Sequence, residues 1–80
     1  MAKKVVSPHY SEIATAIRRE QFARAMRTQD IAEMCGKSKS TLYAQMNAPW
    51  KITIGDLLAY CRVLEIDPVA LMQKVMAGVV

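Results

Sequence analysis

Gly36 divides the middle of the chain into two short runs of helical period, and no other feature restricts the fold so strongly. Upstream, Ile31, Ala32 and Cys35 recur on one helix face; downstream, Leu42 and Met46 stand one turn apart. Glycine takes the left-handed backbone that stops a helix at no steric cost, and Ser38 is a favoured N-cap for the next one. The chain must therefore end one helix, turn, and begin another within a three-residue turn containing Gly36. Ala32 is small where the second helix would cross closely over the first, and Leu42, six residues beyond Gly36, serves as a core anchor.

Similar punctuation elsewhere predicts five helices. The first spans about Pro8 to Ala25, with Ser7 or Ser11 as N-cap, Ile13, Ile17 and Phe22 turned inward, and Arg18, Arg19 and Arg24 on the other face. The second starts near Thr28 and runs through QDIAEMC. The third is KSTLYAQMN, capped by Ser38 and ended by Pro49, after which APWKI reads as an exposed link. Thr53 and Asp56, three apart, form a capping box for DLLAYCRVL, which is expected to bury Leu57, Leu58, Cys61 and Leu64. Asp67 and Pro68 start the fifth helix, VALMQKVMAG, with Leu71, Met72, Val75 and Met76 forming a broad apolar face. Only Lys4 to Val6 has the look of an extended segment.

Eighty residues make one domain, residues 1–80, with a core too modest for a multi-domain enzyme. Lys and Arg number 11 against 7 Asp and Glu, so the net charge of +4 favours an anionic partner such as nucleic acid. Cys35 and Cys61 lie in apolar stretches without metal-ligand spacing, which suits reduced core thiols and a cytoplasmic location. No apolar run reaches the roughly 18 residues of a membrane span, and MAKKVVSPHY lacks the apolar segment of a secretion signal. His9 has no partner at metal or catalytic spacing. There is no phosphate loop, nucleophile elbow or HExxH, and the carboxylates are scattered, so no enzyme, metal, cofactor or small-molecule ligand is expected.

Two short helices around a glycine turn, about residues 28–47, form the pattern of a helix-turn-helix, whose second helix can enter a DNA major groove. IAEMCGKSKSTLYAQMNAP followed by TIGDLLAYCRVLEID resembles the phage-repressor and Cro family, the lambda-repressor-like or xenobiotic-response-element regulators. The similarity extends over roughly Ile13 to Met76. It implies an all-α, five-helix DNA-binding domain in which the third helix reads base edges. Carried onto this sequence, the reading positions are Ser38, Lys39, Ser40, Tyr43 and Ala44. Their chemistry agrees: Lys39 can donate to guanine, Ser40 can donate or accept, and Ala44 can meet a thymine methyl. Thr28, Gln29, Lys37 and Asn47 are the expected phosphate contacts, and Lys3 and Lys4 a candidate basic arm within residues 1–7.

The chain departs from the family pattern in places. Arg27 and Thr28 stand where Thr and Gln are usual, Gln45 stands in place of a second apolar anchor, and Gln21 and Met46 replace a buried Arg–Glu pair. The resemblance implies a transcriptional regulator, a phage or prophage Cro-like or immunity repressor, binding a pseudo-palindromic operator as a homodimer. Met72, Val75, Met76 and Val79 are the expected dimer contacts, since the apolar residues of the fifth helix exceed one inward stripe. The alternative is a protein-interaction module of the same fold, such as an antitoxin or a phage structural adaptor.

Overall fold

The computed structural model describes residues 8–79. Five α-helices and one 3₁₀ turn follow in order: α1 (Ser11–Ala23), α2 (Thr28–Met34), α3 (Lys39–Asn47), the 3₁₀ turn Pro49–Lys51, α4 (Ile54–Leu64) and α5 (Pro68–Met76). No strand occurs among the described residues. Lys3, Lys4 and Ser7 lie outside them.

The start signals act largely as their residue types require. Ser38 Oγ accepts the Thr41 N–H at 3.1 Å, Thr53 Oγ1 accepts that of Asp56 at 3.1 Å, and Asp67 Oδ1 accepts that of Val69 at 2.9 Å. Only half of the expected box at α4 forms, because the Asp56 carboxylate turns to Lys37 and Gln45 instead. α1 is shorter than predicted. It starts after Tyr10, which supplies no side-chain cap, and Ser11 is already its first helical residue.

Three helices stop in one way. The N–H groups of Met26, Lys37 and Ile66 reach back to the carbonyls of Gln21, Ala32 and Cys61 at 3.0, 2.8 and 2.8 Å, with Ala25, Gly36 and Glu65 left-handed at φ 52°, 68° and 56°. Only Gly36 takes that conformation without a Cβ penalty. Arg24 braces two of these ends, since its guanidinium donates to Glu20 at 3.3 Å and to Glu65 at 3.2 Å.

α1 packs against α3, α4 and α5, while α2 packs against α3 and α4. The core they enclose contains Ile13, Ile17, Ile31, Ala32, Leu42, Met46, Leu57, Tyr60, Cys61, Leu64, Leu71 and Val75. A backbone bond from His9 N–H to the Val75 carbonyl, 2.7 Å, ties the entry of α1 to α5. In the APWKI link Pro49 is buried and Trp50 is exposed.

Two inward assignments and one dimer-contact assignment are corrected. Phe22 is 90 % exposed, because it lies five residues beyond Ile17 and so well over a right angle around the helix from the Ile13–Ile17 stripe. Leu58 is exposed and Tyr60 fully buried: Leu57, Tyr60, Cys61 and Leu64 form the i, i+3, i+4, i+7 stripe, from which Leu58 points away. Val75 is 1 % exposed, a core residue unavailable to a second chain, whereas Met72 is half-buried and Met76 and Val79 are exposed. Urea unfolding should rank these assignments: Leu42→Ala is expected to cost about 2–5 kcal/mol, and Phe22→Ala less than about 0.5 kcal/mol. Equal costs would contradict the outward placement of Phe22.

Candidate nucleic-acid interface

α3 has two chemically distinct sides. Leu42 and Met46 are buried, and Ser40, Tyr43, Ala44 and Asn47, at i, i+3, i+4 and i+7, are exposed, with exposed Lys39 beside them. The Lys39 ammonium lies 6.0 Å from the Tyr43 ring centroid, at the outer limit of a cation–π contact. It makes no ion pair among the described residues. No carboxylate belongs to α3, so its outer face offers donors, a methyl group and an aromatic ring without negative charge.

Ser38 contributes less to this face than expected. Its hydroxyl caps Thr41 and also bonds the Thr41 hydroxyl at 2.8 Å, so its oxygen is committed to starting the helix. Lys37 is likewise engaged: its ammonium lies 2.9 Å from Asp56 Oδ1. The other Asp56 oxygen accepts from Gln45 Nε2 at 2.9 Å, and the Tyr60 hydroxyl donates to Gln45 Oε1. Lys37, Asp56, Gln45 and Tyr60 thus join the turn, α3 and α4 in one chain of polar contacts.

The sequence marks Gln45 only as a missing apolar anchor. It is three residues from Leu42 and next to Met46, which puts an amide at the edge of the inward face where a buried phenol needs an acceptor. Burial pushes the Tyr60 phenol up to about 12, with Asp56 adding to the shift. The Lys37 ammonium, followed by the Gln45 amide, holds the Asp56 carboxyl below its usual range. Cys35, half-buried nearby, is a free thiol raised by burial and secondarily by Asp56, and Cys61 is a buried free thiol.

At the start of α2 a carboxylate already stands where an incoming anion would approach. Asp30 accepts the Arg27 backbone N–H at 2.9 Å and the Arg27 guanidinium at 3.1 and 3.3 Å. Their pairing raises the Arg27 pKa and lowers that of Asp30. Thr28 Oγ1 accepts from Gln21 Nε2 at 3.0 Å, and exposed Gln29 donates to Glu33 at 3.0 Å. Any phosphate contact there falls to the remaining Thr28 hydroxyl hydrogen, to the backbone N–H groups of Thr28 and Gln29, and to a rearranged Gln29 side chain.

No group of three or more potential metal ligands occurs among the described residues, and no described helix is long and apolar enough to cross a membrane. No family model, curated protein or solved structure matches the chain.

The Asp56 contacts carry a pH signature. A carboxyl whose folded-state pKa is depressed contributes stability above its unfolded value, near 4, and loses it as pH falls through the folded value. Wild-type stability should therefore drop below about pH 4, and Asp56→Asn, weaker at neutral pH, should show a shallower drop. Parallel acid profiles would exclude Asp56 as a contributor.

Proposed function

We propose that the protein is a sequence-specific, double-stranded DNA-binding transcriptional regulator with a lambda-repressor-like helix-turn-helix, α3 entering the major groove. The observation that carries this reading is the division of α3. Leu42 and Met46 hold it from within, while Lys39, Ser40, Tyr43, Ala44 and Asn47 stand outward on a helix without carboxylates. Lys39, Ser40, Tyr43 and Ala44 read base edges, with Ser38 acting mainly as the cap. Asn47, Thr28, Gln29 and, once released from Asp56, Lys37 meet phosphates. The protein acts in the cytoplasm as a Cro-like or immunity repressor of a phage or prophage, without catalysis or cofactor.

Binding to a pool of short duplexes at several salt concentrations tests this. If about four to six phosphates are neutralised, log K falls against log salt with a slope of roughly −4 to −5. Once a preferred site is selected, Lys39→Ala should cost about 1–3 kcal/mol on it and relax one base pair. A slope near zero would remove DNA as the partner.

The protein works as a homodimer, since two recognition helices must stand about 34 Å apart to enter successive major grooves on a pseudo-palindrome. Exposed Leu58, Val69 and Met76, with half-buried Met72, form one apolar surface on α4 and α5 that a second copy would cover. The same surface favours the runner-up, an interaction module of the antitoxin or adaptor kind. In sedimentation Met76→Asp should be monomeric and Trp50→Ala dimeric. The reverse result places the interface at Trp50, and a monomeric wild type that ignores DNA supports the interaction module.

A further inference from the structure

A groove of about 630 Å³ opens between α1 and α3, within the size range of small-molecule sites, roughly 300–1,000 Å³. Leu42 and Met46 form an apolar floor, and Phe22 and Met26 extend the wall. Phe22 is 90 % exposed although apolar cover lies beside it, so an occupant of the groove would bury a ring that the chain alone leaves in water. The lining contains no carboxylate. Its one charged side chain is Arg18, which has no ion pair among the described residues.

The polar groups in the groove are few and partly fixed. Gln21 Nε2 donates to Thr28 Oγ1 at 3.0 Å, which leaves the Thr28 hydroxyl hydrogen, the second Gln21 amide hydrogen, the Tyr43 hydroxyl and the Arg18 guanidinium as donors and Gln21 Oε1 as an acceptor. Apolar walls with a cation and a hydroxyl donor match a molecule with an apolar body and one anionic group. A nucleic-acid backbone has no apolar body to cover the floor.

We propose that this groove binds a small amphipathic anion, an aromatic or aliphatic carboxylate or sulfonate, and that its occupation and DNA binding exclude one another. The exclusion follows because Tyr43 and Thr28 line the groove and also belong to the proposed DNA face, where an added negative charge would repel phosphates. Exclusion rests on the DNA reading; the site itself does not.

The test uses the full chain and 8-anilinonaphthalene-1-sulfonate, an apolar anion whose fluorescence reports burial. Saturable binding of one probe per chain is expected, displaced by decanoate. Phe22→Ser and Arg18→Gln, both surface changes that should leave the far-UV spectrum and melting unaltered, should each weaken the probe at least about tenfold. Val69→Ser, on the separate α4–α5 surface, should not. Loss of probe in Val69→Ser but not in Phe22→Ser would overturn the site. So would dissociation of a wild-type dimer by Phe22→Ser, which would make the occupant a second copy. Duplex DNA should displace the probe at low salt, and simultaneous binding would overturn exclusion. A chain that binds the probe with this mutational pattern but never binds DNA upholds the site and overturns the DNA reading.

Discussion

A helix of nine residues does not persist alone in water, so everything α3 presents depends on how it is fastened. Three fastenings of different kinds act together. Ser38 satisfies the amide of Thr41, Leu42 and Met46 bury their side chains, and Gln45 bridges to Asp56 and Tyr60 of α4. Burial of the two apolar side chains supplies most of the attachment, about 1.5–3 kcal/mol for each. The amide contacts are weaker and directional, and they fix rotation about the helix axis where packing alone tolerates several settings.

Sharp helix ends are the second condition, because a chain of 80 residues has none to spare for long connections. Ala25 and Glu65 accept a left-handed backbone that side chains disfavour by about 1–2 kcal/mol. In return, the bond from Met26 back to Gln21 and that from Ile66 back to Cys61 close α1 and α4 tightly enough for Arg24 to span both ends. These stops have no glycine to announce them.

Much of the architecture is legible in residue order. Gly36, Ser38, Pro49, Thr53 and Asp67–Pro68 place five helix boundaries correctly, because caps and breakers act through their own backbone and need no tertiary partner. The start of α1 is not legible for the complementary reason: Tyr10 provides no capping side chain. At Phe22 and Leu58 apolarity does not mark burial, because the spacing of Ile13–Ile17 and of Leu57–Cys61–Leu64 turns both outward. At the candidate interface the exposed stripe of α3 was readable from period alone. The commitments of Lys37 to Asp56 and of Gln29 to Glu33 were not, since they depend on rotamers and on a residue 19 positions away in the first case.

The division of α3 also bears on how such a chain can diverge. Ser40, Ala44 and Asn47 are exposed, lie outside the core cluster and take no part in the polar chain behind the helix. Exchanging them alters what is displayed while the scaffold keeps its stability, since surface changes usually move folding by less than about 0.5 kcal/mol. Leu42, Gln45 and Met46 have no such latitude. Change in what α3 displays can therefore proceed one residue at a time, through intermediates that all fold, whereas drift in the attachment of the helix requires Gln45, Asp56 and Tyr60 to change together.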